Sequence, residues 1–207
     1  MLTNFTIERL LILIPVVLIA ITFHETAHGW VAYKLGDPTP KVTGRLSLNP
    51  ISHLDPLGAL LLLVTGFGWA KPVEVNPFYF KGDRRQGMML VALAGPLANV
   101  LVAFVAALIF NYWGFRSGLG RQFLYNLIII NIYLAAFNLL PVPPLDGSKI
   151  LAWLLPRSKA NFLYTLEGYG PLILMLLIIT GLTGYFVLPV ANILLSTVIK
   201  LASLVSL

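Results

Sequence analysis

The residues best suited to chemistry in this 207-residue chain are His24, Glu25 and His28, which form an HExxH motif at the end of a long apolar run. On a helix, positions i and i+4 lie on one face, so both imidazoles can bind one metal ion. Glu25 lies at a different angle around the helix, where its carboxylate can act as a general base on water. This pattern is typical of zinc peptidases.

A third metal ligand is expected elsewhere in the chain, because a catalytic zinc commonly takes three protein ligands and keeps a fourth position open. The chain has no cysteine, so this ligand must be a histidine or a carboxylate. The candidates are His53, Asp37, Asp55, Glu74, Asp83, Asp146 and Glu167. Asp146 stands out because it follows a proline-rich break at the end of an apolar segment. Irregular backbone at membrane depth is tolerated only where it is buried in protein or lines a watery cavity.

The composition predicts a polytopic membrane protein with an all-α fold. Of the 207 residues, 58% are hydrophobic and 11% are charged, whereas soluble domains carry about 25% charged residues. At about 20 residues per span, there is room for four or five spans and for no further soluble domain of ordinary size. The net charge of +6 does not indicate nucleic-acid binding, because the basic residues are spread over loops between apolar runs.

Apolar runs predict where the spans lie. The predicted spans cover residues 8–35, 87–110 and 123–140, and an apolar tail covers 171–207. Residues 56–68 are apolar but too few to cross a bilayer, which favours a re-entrant or interfacial element. Residues 69–77 alternate and are flanked by proline, which predicts a short edge strand or hairpin. The tail is either one long tilted helix or a span followed by a broken or interfacial helix.

We expect residues 1–207 to form one integral membrane domain, with a three-helix catalytic core over 8–147 and one or two further helices over 148–207. Only Arg9 precedes the first apolar run, and cleavage after that run would remove or isolate the HExxH motif. The first span is therefore predicted to be retained rather than removed as a signal peptide.

The basic residues predict the orientation of these spans. Three of them, Arg9, Arg116 and Arg121, flank one side of the spans. Ten flank the other side, namely Lys34, Lys41, Arg45, Lys71, Lys81, Arg84, Arg85, Lys149, Arg157 and Lys159. The positive-inside rule then puts the N-terminus outside and the loop between the first two spans in the cytoplasm. The HExxH motif and Asp146 reach the same cytoplasmic depth, although 118 residues separate His28 from Asp146.

Three motifs together resemble those of the site-2 protease family of intramembrane zinc metalloproteases. Residues 24–28 match HExxH, residues 138–147 match NxxPxPxLDG, and residues 95–99 resemble GPxxN. They extend over residues 24–147, and their combination in this order is far more specific than HExxH alone. The chain resembles a compact family member without a PDZ or CBS domain.

The resemblance implies that Zn²⁺ is held by His24, His28 and Asp146, with Glu25 as the catalytic base and acid. It also implies that Asn99 and Asn138 line the substrate cleft, where one of them orients the substrate or the oxyanion. The substrate is expected to be a transmembrane segment of another membrane protein, which would add to the edge strand as an extended chain. The implied activity is hydrolysis of peptide bonds within or next to such segments.

Simpler roles remain open for several of these residues. Asn99 fits a hydrogen-bonded contact between helices equally well, and Asn138 fits a residue that satisfies the backbone beside Pro141. His53 is either a loop histidine bonded to Asp55 or a gating residue that touches the metal or substrate at the cleft. Asp146, taken alone, would also fit a helix cap.

Two other functions agree with parts of the sequence, namely a catalytically silent protein that binds membrane segments and a metal or proton transporter. A binding protein would not require the carboxylate of Glu25. A transporter would need polar groups across the whole bilayer, often in inverted repeats, and no repeat is visible. We therefore predict a multi-pass metalloprotease of the cell membrane, whose partners are the lipid bilayer and a membrane-protein substrate. The sequence leaves a homo-oligomer open.

Overall fold

The computed structural model describes residues 7–58, 70–112 and 118–205, which form a bundle of helices. The helices are α1 (Ile7–Lys34), α2 (Thr39–Val42), α3 (Arg84–Tyr112), α4 (Leu119–Asn138), α5 (Asp146–Leu154), α6 (Arg157–Leu166), α7 (Gly170–Ile179) and α8 (Leu182–Val205). Short 3₁₀ turns cover Pro50–His53, Pro77–Tyr79 and Glu167–Tyr169. Four helices, α1, α3, α4 and α8, are long and apolar enough to cross a membrane.

The mostly helical fold and the number of apolar spans agree with the sequence prediction. The first three spans begin and end within a few residues of the predicted bounds. The apolar tail is divided, because α7 ends at Ile179 and α8 begins at Leu182. Gly181, between them, has a φ of 73°. This left-handed conformation is inexpensive for glycine alone, so the tail breaks at this residue.

Small residues bring the four long helices together. The buried side chains of α3 and α4 include Ala103, Ala106, Ala107, Ala135 and Ala136. Helix α8 packs onto this surface through Val187, Ala191, Val198 and Ala202, which lie on one of its faces. In lipid, helices associate by close packing rather than by hydrophobic burial, and small side chains allow their backbones to approach.

Large apolar side chains point away from this core. On α3, Leu97, Leu101 and Val105 are exposed at a spacing of four residues, so they form a stripe along one face of the helix. The opposite face carries the fully buried Asn99 together with Ala103. This distribution, with polar groups inside and aliphatic groups outside, is expected of a helix surrounded by lipid.

Part of the predicted re-entrant and hairpin region lies outside the described residues, namely 59–69. The described residues contain no β-strand, and their one strand-type pairing is an isolated antiparallel bridge between Leu54 and Ala70. Of the predicted element 69–77, the described part therefore forms no hairpin. Residues 71–76, here called the edge segment, have no regular secondary structure.

The edge segment lies alongside the second half of α1 and is held there through its backbone. Its amides bind acceptors on or near α1: Lys71 N donates to His53 O (2.9 Å), Val73 N to Glu25 Oε2 (2.9 Å) and Asn76 N to Asp37 Oδ2 (2.7 Å). Just beyond it, Lys81 N donates to Leu35 O (2.9 Å). Within the described residues no hairpin forms, because these donors are satisfied by α1 and its flanking groups instead of by a second strand.

Helix α5 is held at its far end by an arginine from α3. The last carbonyls of a helix have no partner within it. Nη2 of Arg85 donates to Ala152 O, to Leu155 O (2.7 Å) and more weakly to Trp153 O (3.3 Å). This single guanidinium therefore fixes α5, which begins at Asp146, to the first turn of α3.

We predict that Arg85→Met lowers the free energy of unfolding by about 1–3 kcal/mol, because hydrogen bonds from a charged group are lost and carbonyls lose a partner. Thermal unfolding in detergent measures this change. Arg84→Met is the matched control, since the exposed Arg84 only stacks over the Phe78 ring (4.5 Å to its centroid). Equal unfolding temperatures for the two variants would contradict the assigned cap.

Candidate metal centre

The structure brings together the three side chains that the sequence predicts as metal ligands. Nε2 of His24 and Nε2 of His28 are 3.0 Å apart. Oδ2 of Asp146 lies 3.3 Å from the first nitrogen and 3.4 Å from the second. Both imidazoles are buried, and their planes meet at 87°. No other group of three potential ligands is found among the described residues.

The outer nitrogen of each imidazole has an acceptor that determines its tautomer. Nδ1 of His24 donates to Oδ1 of Asn99 (2.6 Å), and Nδ1 of His28 donates to the carbonyl of Val91 (2.7 Å). Each Nδ1 of a neutral ring therefore carries the proton, and each Nε2 presents a lone pair. This is the arrangement that metal-binding histidines commonly show, with the second nitrogen bound to an oxygen.

The facing atoms fit a divalent cation. Two Nε2 lone pairs lie 3.0 Å apart and repel each other, and the buried Oδ2 of Asp146 receives no hydrogen bond. Tetrahedral zinc with ligand distances of about 2.0–2.1 Å has ligands about 3.3–3.4 Å apart. The three observed distances between ligand atoms, 3.0, 3.3 and 3.4 Å, are close to these ligand-to-ligand distances. The donor set, two nitrogens and one carboxylate oxygen, is one that catalytic zinc uses.

One face of α3 serves both histidines. Val91, Gly95 and Asn99 are spaced by four residues and so lie on the same side of the helix, as do His24 and His28 on α1. The two helices run antiparallel, so Val91 meets His28 and Asn99 meets His24. At Gly95, between them, an added Cβ atom would overlap Nε2 of His28 and lie 2.6 Å from Cε1 of His24. Only glycine leaves room for the rings there.

Both amide hydrogens of Asn99 and one lone pair of its oxygen are used by partners within the protein. It is fully buried, and its oxygen accepts from His24. Its amide nitrogen donates to Ala20 O (2.9 Å) and to Oδ1 of Asn131 (2.8 Å). Asn131 is also fully buried and donates to Leu127 O (2.8 Å). Asn99 thus holds His24 and joins α1, α3 and α4, which agrees with the alternative of a hydrogen-bonded contact between helices, and its contact with substrate stays a prediction.

Asp146 is the first residue of α5, where the helix N-terminus favours a carboxylate. The next residue, Gly147, lies against the end of α4, because an added Cβ atom would overlap the carbonyl oxygens of Leu139 and Leu140. Glycine therefore lets the loop after α4 turn tightly enough to place Asp146 opposite the two histidines.

Lys149, one turn after Asp146, joins α5 to the chain that precedes α7. Its Nζ forms an ion pair with Oε1 of Glu167. Burial lowers the pKa of Lys149, while the nearby charge of Asp146 opposes that shift. Gly170 packs against Pro143 in the loop that leads to Asp146. Residues 167–170 thus contact both the loop that leads to Asp146 and the helix that begins with it.

Glu25, the predicted base, is partly buried and tied to the edge segment. Its Oε2 accepts from Val73 N at 2.9 Å. A hydrogen bond from a backbone amide to a carboxylate is stronger than one between neutral groups. The carboxylate is therefore held in one orientation.

The other two predicted site residues, Asn138 and His53, have different surroundings. Nδ2 of Asn138 donates to Leu134 O (3.0 Å), one turn earlier in α4, which agrees with the backbone-satisfying alternative. His53 is fully buried, and its Nε2 lies 2.8 Å from Ser47 O and 3.4 Å from Oγ1 of Thr26.

The predicted bond between His53 and Asp55 is not formed. Oδ1 of Asp55 accepts instead from Gly58 N (2.8 Å). His53 does not belong to the group of candidate metal ligands, and its role at the cleft stays a prediction.

Sequence analysis missed three residues that position the centre. These are Arg85, which the sequence indicates only as a loop charge, Val73, which is only part of the alternating residues 69–77, and Asn131, which lies in the third span. A signal existed for Asn131, because a fully polar side chain in a span usually faces protein. No local signal identifies the other two, since they act through partners far away in the chain.

Comparisons with known proteins give a consistent result. The model of peptidase family M50 matches residues 115–179. The chain is 42% identical over 200 residues to "Putative zinc metalloprotease YwhC" of Bacillus subtilis, an alignment that covers 92% of this chain and 90% of that protein. It is 35% identical over 155 residues to "Putative zinc metalloprotease MJ0611" of Methanocaldococcus jannaschii, with 72% and 74% covered. No solved structure matches the chain significantly.

We predict that Asn99→Leu weakens Zn²⁺ binding by about 10–100-fold, because partners of metal-bound histidines typically contribute that much. Asn131→Leu should weaken binding by about tenfold, since Asn99 then loses one of its anchors. Competition with a chromophoric chelator measures both affinities. Asn126→Leu is the control, because Asn126 lies on α4 like Asn131 but is only partly buried and donates to Gln122 O, one turn earlier in the helix. Unchanged affinity in both test variants would refute the role given to this pair.

We also predict that Gly95→Ala weakens Zn²⁺ binding by at least about tenfold, since the new methyl group displaces both rings from their ligand positions. The same chelator competition applies. Gly184→Ala should bind Zn²⁺ normally, because no atom lies within 4 Å of a Cβ added there. Wild-type Zn²⁺ affinity in Gly95→Ala would show that the added methyl group does not displace the imidazoles of His24 and His28.

Proposed function

This chain belongs to peptidase family M50, the site-2 protease family, and on this premise we propose that it is a zinc metalloprotease that cuts membrane proteins within or next to their transmembrane segments. The observation that carries the proposal is the position of the ligand cluster. His24 and His28 are buried in α1, a helix long and apolar enough to cross a bilayer. Ionisable groups in such a helix are costly and mark functional sites.

In this proposal His24, His28 and Asp146 hold the zinc ion, which is the cofactor. When bound, zinc supplies the Lewis acidity that activates water and polarises the peptide carbonyl. Glu25 accepts a proton from the attacking water at Oε1 and delivers it to the amide nitrogen of the leaving chain. Asn99 and Val91 keep both imidazoles in the tautomer that presents Nε2.

The substrate must reach this site with its backbone exposed. A helical segment hides its carbonyls in internal hydrogen bonds, so the substrate has to unwind locally, and helix-breaking residues such as proline favour this. The edge segment offers a place for the unwound chain. Its Lys71 and Val73 amides are turned toward the protein, and successive groups of an extended chain point to opposite sides. Among the described residues, no hydrogen bond occupies the other edge, near the exposed Pro72 and Glu74, and in this proposal that edge accepts the substrate by strand addition.

The proposed orientation places the site toward the cytoplasm. Lys34 at the end of α1 and Arg84 and Arg85 at the start of α3 lie at the same end of the bundle as the ligand cluster. Basic residues of this kind favour the cytoplasmic side. Cleavage would then release a peptide or domain into the cytoplasm, while the protein itself stays in the cell membrane as a multi-pass protein.

We predict that Glu25→Gln keeps zinc but lowers kcat by about 10²–10⁴-fold, because glutamine still accepts the Val73 amide but takes no proton. The assay uses purified protein in liposomes with a model substrate that has one transmembrane helix interrupted by proline. Zinc content is measured on the same samples. Glu8→Gln, the same change at the far end of α1, should cut normally. Undiminished cutting by Glu25→Gln would remove Glu25 as the base.

A further inference from the structure

The edge segment is attached to the proposed base, Glu25 in α1, and to Asp37, which lies just after the end of that helix. Near the start of the segment, Val73 N binds Oε2 of Glu25 at 2.9 Å. Near its end, Asn76 N binds Oδ2 of Asp37 at 2.7 Å. Only three residues separate these anchors, so the position of one end constrains the other.

Asp37 is an unusual residue for such an anchor. Its exposed fraction is 0%, and burial of a carboxylate is costly unless it is hydrogen-bonded. Both of its oxygens accept backbone amides, Oδ1 from Thr39 N (2.9 Å) and Oδ2 from Asn76 N (2.7 Å). Its own amide donates to Ala32 O (3.0 Å). Asp37 is thus fixed to the end of α1 and joins it to the edge segment.

The side chain of Val73 fits closely against α1 as well. A Cβ atom added to Gly29 would lie 3.3 Å from Cγ1 of Val73. Gly29 is four residues after Glu25, so both lie on the same face of α1. Glycine at this position lets the edge segment approach near enough for the Val73 amide to reach the carboxylate.

We propose that Asp37 is a positioning residue of the active site. It holds Asn76, and thereby holds the Val73 amide on Oε2 of Glu25, so that the base keeps one orientation and Oε1 is free for proton transfer. This role rests on the proposed function, because it gives the contact a purpose in catalysis. The contact itself is independent of that function, and the test treats the two separately.

The first experiment compares Asp37→Ala with Asp83→Ala in the full-length protein. Asp83 also accepts a backbone amide, from Gln86 N (2.8 Å), but has no recorded bond to the edge segment. Hydrogen–deuterium exchange at the Val73 and Asn76 amides should become at least about tenfold faster in Asp37→Ala, since a bond to a charged acceptor is lost. In Asp83→Ala both rates should stay at the wild-type value. Unchanged exchange at Val73 in Asp37→Ala would overturn the proposal.

The second experiment tests whether Asp37 acts through Val73. Val73→Pro removes the amide hydrogen, and Val73→Ala measures the loss of side-chain packing alone. At saturating substrate and with zinc still bound, Asp37→Ala and Val73→Pro should each lower kcat by about tenfold, and Val73→Pro should exceed Val73→Ala by that factor. The double variant Asp37→Ala with Val73→Pro should be no slower than Val73→Pro, because both changes remove one contact. If the losses in kcat of the two single variants add up in the double variant, Asp37 does not act through the Val73 amide.

The outcomes remain distinguishable. If Asp37→Ala does not fold, Val73→Pro against Val73→Ala still decides whether the Val73 amide orients the base. If the wild-type protein cuts no substrate, the proposed function fails, while the exchange rates of Val73 and Asn76 still decide whether Asp37 holds the edge segment.

Discussion

The structure depends on one electrostatic arrangement, in which two imidazole lone pairs and a carboxylate oxygen face each other inside the bundle. The Nε2 atoms of His24 and His28 are 3.0 Å apart, and Oδ2 of Asp146 receives no hydrogen bond. Like-signed partial charges this close are unfavourable in a low-dielectric interior. A bound cation would make the same arrangement favourable. The hydrogen bonds from the two Nδ1 atoms to Asn99 and Val91 keep the Nε2 lone pairs directed toward the site of that cation.

Helix α3 is the template on which this arrangement is built. Val91, Gly95 and Asn99 are spaced by four residues on one face of α3. Val91 O accepts from His28 and Asn99 Oδ1 accepts from His24, and Gly95 between them leaves space for both rings. Asn131 extends the hydrogen bonds from Asn99 to α4, so three helices contribute to the orientation of His24. Inside a bilayer these side chains cannot form hydrogen bonds with water. Each bond that orients the His24 ring therefore also stabilises the packing of the helices.

The sequence predicted those features that depend on local spacing. The two histidines of HExxH share a helix face if the motif is helical, and the apolar runs predict the bounds of the first three long helices to within a few residues. It did not predict contacts between distant segments. A positive charge at position 85 indicates a membrane side, but nothing local says that its guanidinium reaches α5, about 70 residues away. Likewise the alternation in 69–77 predicts an extended chain without saying whether its amides meet a strand or, as at Val73, a carboxylate on a helix.

Irregular backbone near a membrane needs an acceptor for every amide, and this requirement links the stability of the edge segment to catalysis. The acceptors used here are the carboxylates of Glu25 and Asp37, which bind amides more strongly than neutral carbonyls do. Glu25 therefore cannot change its side-chain conformation without leaving the Val73 amide unpaired, which is itself costly. Its orientation is enforced by the hydrogen-bonding needs of the backbone as well as by packing. A chain that paired with the Val73 amide would take it away from Glu25, so the proposed strand addition uses the opposite edge of the segment.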